Sequence, residues 1–230
     1  MRFSGFQKLT LLDYPGRVAC TLFTAGCNLL CPFCHNASLV THIDNSTCFE
    51  EEEILDYLKK RRGILDGVCI TGGEPLLQNG LEDFIAKVKE LGYSVKLDTN
   101  GTMPDKLISL VTKGLVDYVA MDIKNCKEKY PLTVGKEGFD ISMVEKSVAF
   151  LLSETVDYEF RTTIVQNYHT PNDIEALCRW ISGSKRYFLQ NFVDSGDLIK
   201  SGLSPCSKPV LEEMLSRAKL FVQNAEIRGL

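Results

Sequence analysis

Apolar residues along the chain switch between short continuous runs and stripes spaced three and four apart. Val18 to Thr24 is a run of strand length and reads as the first core strand. In the next segment Glu50 to Glu53 come first, Lys59 to Arg62 last, and Ile54, Leu55 and Leu58 share a face. Acidic residues at the start and basic ones at the end suit a helix dipole, and Ser46 or Thr47 is the expected cap. A strand follows at Val68 to Thr71, a helix near Leu81 to Leu91, a strand at Ser94 to Thr99 and a helix starting around Pro104. Val116 to Ile123 is the fourth strand, and Ile141, Val144, Val148, Leu151 and Leu152 mark the next helical face. Tyr158 to Ile164 is the fifth strand, before a stripe through Ile174, Leu177, Cys178 and Ile181. Tyr187 to Phe192 is the sixth, followed by a last helix carrying Val210, Leu211, Met214, Leu215 and Ala218, with Leu220 to Val222 expected as a short terminal strand.

Strands alternating with helices predict an α/β fold with a parallel sheet inside a helical layer. Six units fall short of the eight that close a barrel, so the expectation is a partial (β/α)6 TIM-like barrel, or a strongly curved sheet, with one lateral side open. Residues 1–230 are read as a single domain, with 1–16 an N-terminal extension on the core and Arg2 to Tyr14 a small hairpin over an end of the first strand. Thr133 to Gly138 reads as a flexible loop able to move near the site.

Composition narrows the function classes. A chain of 230 residues with 44% hydrophobic content builds one sizeable core. Its apolar runs are too short to cross a membrane, and Met1 to Gln7 lacks the basic-then-apolar layout of a signal peptide, so a cytoplasmic location is expected. A net charge of -4 offers no general attraction for a polyanion, which argues against nucleic acid as a partner.

The nine cysteines divide by spacing. Cys20, Cys69 and Cys178 fall in strand or helix stripes as small core residues, and Cys48, Cys126 and Cys206 lie in less regular stretches. Cys27, Cys31 and Cys34 instead share one loop, Cys27-Asn28-Leu29-Leu30-Cys31-Pro32-Phe33-Cys34-His35-Asn36. Such spacing lets a compact loop reach three corners of a 4Fe-4S cubane and leaves the fourth iron open to a substrate. The alternative is a structural zinc ion on Cys31, Cys34, His35 and a fourth ligand such as Cys27 or Cys48, although zinc sites usually recruit two short ligand pairs.

That loop, just after the first core strand, resembles the CxxxCxxC signature of the radical S-adenosylmethionine (radical SAM) superfamily. Gly72-Gly73-Glu74-Pro75, ending the second strand, matches its GGE segment, and Asp98-Thr99-Asn100-Gly101 and Asp122-Ile123-Lys124 match motifs of glycyl-radical activating enzymes. With Asp13-Tyr14-Pro15-Gly16 and Cys34-His35-Asn36, the chain looks most like the anaerobic ribonucleoside-triphosphate reductase activating proteins, and is similar to pyruvate formate-lyase activating enzyme.

The resemblance implies a 4Fe-4S cluster on Cys27, Cys31 and Cys34 that cleaves SAM to methionine and a 5'-deoxyadenosyl radical. The radical would take hydrogen from a glycine of a glycyl-radical enzyme, the anaerobic ribonucleoside-triphosphate reductase, with flavodoxin or ferredoxin as electron donor. It also implies cofactor contacts from Phe33, His35 and Asn36 in the loop, the last two toward the adenine, and from Gly72, Gly73 and Glu74 toward the SAM zwitterion. Asp98, Thr99 and Asp122 would hold Na+ or K+ beside the SAM carboxylate, Lys124 would neutralise that carboxylate, and Arg161, on a strand face shared with Glu159 and Thr163, would touch the cosubstrate. Gln190 and Asn191 stand where relatives carry a histidine and are candidates for the ribose. Alternatives of other classes are a small-molecule radical enzyme similar to 7-carboxy-7-deazaguanine synthase, an iron-sulfur electron-transfer protein and a zinc-binding interaction module.

Overall fold

A computed structural model describes residues 1–43 and 48–229. In chain order its elements are β1 (Arg2–Phe3), β2 (Gly5–Thr10), β3 (Ala19–Thr24), α1 (Ser38–Thr41), β4 (Phe49–Glu50), α2 (Glu51–Lys60), β5 (Gly67–Gly72), α3 (Leu81–Glu90) and β6 (Ser94–Thr99). There follow α4 (Pro104–Thr112), β7 (Tyr118–Asp122), α5 (Tyr130–Thr133), α6 (Ser142–Leu152), β8 (Asp157–Ile164), α7 (Pro171–Trp180), β9 (Tyr187–Asn191), α8 (Lys208–Ala218) and β10 (Ala225–Arg228).

The main sheet has eight strands in the order β10-β9-β8-β7-β6-β5-β3-β2. From β3 to β10 every neighbouring pair is parallel, and only β2 runs antiparallel, against β3. The strands therefore succeed one another in one direction with no reversal, the winding that curls a sheet toward a barrel. Leu12, just past β2, and Arg228 of β10 line the same cavity, so the two ends of the sheet come round to face each other without pairing. This is the laterally open α/β barrel that the six-unit pattern predicts.

Both faces of the parallel strands are covered, as such sheets require. Outward, Val68, Ile70, Val95, Leu97, Val119, Met121 and Phe160 are buried in one large apolar core with Phe84, Val88, Leu107, Leu151 and Leu177 of the helices. Inward the same strands carry Lys96, Asp98, Asp122, Glu159 and Arg161, a charged interior. Among the described residues no helix is long and apolar enough to cross a membrane.

Four local expectations change. The N-terminal hairpin is instead an edge strand, β2, added to the main sheet, with β1 pairing β4 in a separate two-stranded ribbon. The expected caps Ser46 and Thr47 lie outside the described residues, and the N-cap position of α2 is taken by Glu50, which makes no side-chain cap and pairs with Arg2 at 2.7 Å. Leu220 to Val222 is a turn after α8; the terminal strand is β10, in register Ala225 to Tyr187 of β9. Thr133 and Val134 are fully buried, and the Thr133 hydroxyl accepts a hydrogen bond from Asn125 Nδ2 at 2.9 Å, so the segment read as a mobile loop is anchored at its start.

Candidate functional site

The cysteine loop leaves β3 at the C-terminal edge of the sheet, where functional groups of such folds collect. Backbone bonds brace it: Gly26 N–H donates to Leu39 O at 2.7 Å, Leu30 N–H to Val134 O at 3.0 Å, and Lys200 N–H reaches in to Pro32 O at 2.9 Å. Cys27, Cys31 and Cys34 face one cavity of about 400 Å³. Burial raises the Cys27 thiol and pushes Cys31 up to about 11, against the lowering effect of Lys124 on Cys31. Without metal these two thiols stay protonated and unreactive, and ligation has to release their protons.

Phe33, His35 and Asn36 line the same cavity. The His35 ring stacks on Phe192 with centroids 5.6 Å apart, Phe33 packs beside Tyr168, and Asn36 Nδ2 donates to Gly72 O at 3.2 Å. From the strand ends, Gly72, Gly73, Asp98, Thr99, Asp122, Lys124, Arg161 and Gln190 complete the lining. Two of the predicted residues do not line it: Glu74 lies fully buried behind, and the Asn191 side chain is taken up by the Cys206 backbone, donating from Nδ2 to its O and accepting at Oδ1 from its N–H, both at 3.1 Å.

The glycines have a reason the sequence did not disclose. A Cβ on Gly72, whose φ is +114°, would stand 2.4 Å from Thr24 backbone, and one on Gly73 would stand 2.0 Å from Gly26 O. The strand end and the start of the cysteine loop are in backbone contact, through Gly73 N–H to Thr24 O and Glu74 N–H to Gly26 O, both 2.8 Å. Glu74 accepts from Leu76 N–H at 3.1 Å, Thr99 Oγ1 at 2.9 Å and Asn100 N–H at 2.7 Å, which ties the Gly-Gly turn to the end of β6.

Inside the barrel two carboxylates alternate with cations. Arg161 donates from Nε to Asp122 Oδ1 at 3.0 Å and from Nη1 to Asp98 Oδ2 at 3.3 Å. Lys124 Nζ donates to Asp122 Oδ2 at 2.9 Å, and Lys96 Nζ makes a short contact with Asp98 Oδ1. Burial alone would raise both carboxyls, but Lys124 and Arg161 at Asp122, and Arg161 and Lys96 at Asp98, hold them below their ordinary value. The same pairs keep Lys96, Lys124 and Arg161 protonated against burial.

Two contributors escaped the sequence reading. Lys96 is 2% exposed and sits two residues before Asp98, on the same strand face. His169 is buried between its own loop and β7: its Nδ1 accepts from Val165 N–H at 3.1 Å, which leaves Nε2 to donate to Lys124 O at 2.8 Å, so it fixes the backbone of Lys124. Period two from Asp98 would have pointed to Lys96; nothing in the pattern around His169 singles it out.

A family model described as the radical SAM superfamily matches residues 21–181. The chain belongs to the radical SAM superfamily. A Methanocaldococcus jannaschii protein, provisionally named a glycyl-radical enzyme activating enzyme, is 33% identical to this radical SAM chain over 99% of it and 95% of the relative. A domain of pyruvate-formate lyase-activating enzyme from Bacteroides vulgatus superposes with a TM-score of 0.58 at 15% identity, covering 71% of this chain and 99% of that one. Streptococcus suis SuiB bound to its precursor peptide SuiA superposes at 0.70 with 14% identity, over 91% and 48% of the two chains. These two likenesses are of fold.

Membership implies a 4Fe-4S cluster and SAM, and chooses the cubane over the zinc ion that the spacing left open. The donor set fits. Three soft sulfur donors share one cavity, and no fourth cysteine lines it among the described residues.

Proposed function

We propose that this radical SAM chain is a glycyl-radical-enzyme activating enzyme, acting in the cytoplasm as one domain on an anaerobic ribonucleoside-triphosphate reductase. The carrying observation is one cavity in which three thiols meet an ion-pair network of Asp98, Asp122, Lys124 and Arg161. The full-length likeness to the methanogen protein of that provisional name supports the activating role.

Cys27, Cys31 and Cys34 would hold the cluster, which when reduced by flavodoxin or ferredoxin supplies the electron that splits the SAM sulfonium. Lys124 and Arg161 would meet the methionyl carboxylate. Gly73 N–H is committed to Thr24 O, so the Gly-Gly turn offers carbonyl oxygens, the acceptors an ammonium group takes. Burial, then Lys124, lowers the pKa of His35, so a neutral ring stacked on Phe192 would border the adenine with Phe33 and Asn36 beside it, and Gln190 would reach the ribose. Thr99 and Glu74 would keep the β6 end in place. The protein's part is to fix the sulfonium and shield the radical from water.

Anaerobically reconstituted protein, reduced with dithionite and given SAM and the reductase, should form 5'-deoxyadenosine and a glycyl-radical doublet in paramagnetic resonance, and Cys31→Ala should form neither. SAM cleavage with no radical on any glycyl-radical enzyme of the same cell, together with turnover of a small molecule, would move the reading to a relative of 7-carboxy-7-deazaguanine synthase. Absence of cleavage altogether would leave an iron-sulfur carrier.

A further inference from the structure

The resemblance to activating enzymes implies Na+ or K+ on Asp98, Thr99 and Asp122, and the geometry here does not fit one. All four oxygens of the two carboxylates already accept from a cationic side chain: Asp98 from Lys96 and Arg161, Asp122 from Arg161 and Lys124. Thr99 borders the cavity, but its hydroxyl is already engaged, donating to Glu74 Oε1 at 2.9 Å and accepting from Gly101 N–H at 3.1 Å.

The charge count points the same way. Lys96, Lys124 and Arg161 bring three positive charges and Asp98 and Asp122 two negative ones, so this ion-paired group itself carries +1, while Asp13, which accepts from the Thr21 hydroxyl, lines the cavity outside it. That surplus would face the carboxylate end of SAM, and a metal ion added there would set a further positive charge beside three cations largely removed from water, an unfavourable arrangement. Lys96 is the residue that makes up the count. Its side chain is 2% exposed, Asp98 is its one ion-pair partner among the described residues, its ammonium also donates to Cys69 Sγ at 3.7 Å, and Asp98 keeps it charged despite its burial.

We propose that Lys96 stands in for the monovalent cation, so that this chain binds SAM on a fixed set of its own charges and without Na+ or K+. The inference rests on the SAM reading of the cavity. Lys96 acts through Asp98 as a positioning residue and has no contact with the cosubstrate assigned to it. Chemically, a tethered ammonium cannot be diluted or exchanged, so the site would be independent of the salt composition around it.

The test measures SAM binding to the cluster-loaded protein by anaerobic titration calorimetry in choline, sodium and potassium chloride of equal ionic strength. Wild-type affinity should agree across the three salts within about two-fold, below the roughly five-fold at which coupling between two ligands usually begins. Lys96→Met should bind weakly in choline and recover by about five-fold or more in sodium or potassium, while Lys96→Arg should stay indifferent to the salt. Wild-type binding that tightens about five-fold in sodium or potassium overturns the inference, as does a Lys96→Met protein that ignores the salt. Should Lys96→Met fail to fold, as judged by circular dichroism, the wild-type and Lys96→Arg series still decide it. Failure to bind SAM in every salt sinks the reading of the cavity and this inference with it; salt-specific wild-type binding sinks this inference alone.

Discussion

Glu74 is fully buried and takes three hydrogen bonds, yet burial outweighs them and pushes its carboxyl from 4.5 up to about 7. A raised carboxyl pKa means that between those values the folded chain holds the proton more tightly than the unfolded one. Its contribution is complete below pH 4.5 and is lost as pH rises through about 7, by up to about 3 kcal/mol. His169 runs the other way: burial lowers its pKa, so its contribution is present above the ordinary value of 6.5 and lost as pH falls below it. The two slopes oppose, so each is read as a difference. In urea unfolding from pH 5 to 8, the stability of wild type relative to Glu74→Gln should decline with rising pH, and a constant difference would contradict the assignment. A neighbouring residue gives a sharper loss. In Gly73→Ala the new Cβ meets Gly26 O, a backbone atom that cannot swing aside, one residue from Cys27. The cost should exceed the roughly 1–3 kcal/mol of ordinary overpacking, with reduced iron uptake on reconstitution as the second readout.

One of the segments that brace the cysteine loop does so through Val134 O, which accepts from Leu30 N–H, with Gly135 packed beside it. A Cβ there would lie 2.3 Å from Leu30 O, at φ +67°, whereas Gly138 has the same φ and nothing within 4 Å. Each alanine substitution should cost about 1–2 kcal/mol for the left-handed backbone. Only Gly135→Ala should also alter the paramagnetic resonance of the reduced cluster, because it alone pushes on the loop. Equal spectra for the two variants would show that this brace does not reach the cluster. Such braces were beyond the reach of sequence patterns, which read Thr133 to Gly138 as free. The central strands were legible because burial on both faces makes them continuous apolar runs. β10 was not, since it carries Glu226 and Arg228 on a sheet edge, and the apolar triplet Leu220 to Val222 drew the assignment away. β2, with Gln7 and Lys8 on the opposite edge, failed for the same reason. At the site, the motifs located the strand-end groups, but the search for apolar strands hid Lys96 as one polar letter in Ser94–Thr99.

At the scale of the molecule the consequential feature is the seam between β2 and β10. A cavity of about 490 Å³ opens there, with Leu12, Asp13, Arg228 and Gly229 at its sides and Lys96, Asp98 and Arg161 within. Asp98, Arg161 and Gln190 also border the cluster cavity, so the seam leads sideways to the place where the radical would form. Leu9, Leu11 and Leu12 are 55%, 68% and 90% exposed on the β2 side of it, while Arg228 is held by Glu159 at 2.8 and 2.9 Å on the other. If the partner is a glycyl-radical enzyme, as proposed, this seam gives a loop of it a sideways path to the cavity, while the helices cover the outside of the sheet. Hydrogen exchange of the cluster-loaded chain, with the reductase at ten times its dissociation constant, should therefore slow about tenfold along residues 9–14 and 225–229. The amides of α3 and α4, on the outer layer, should exchange as they do in the free protein. Protection confined to that outer layer would mean that the partner docks away from the seam, and the path from partner glycine to the cluster cavity would have to be drawn elsewhere.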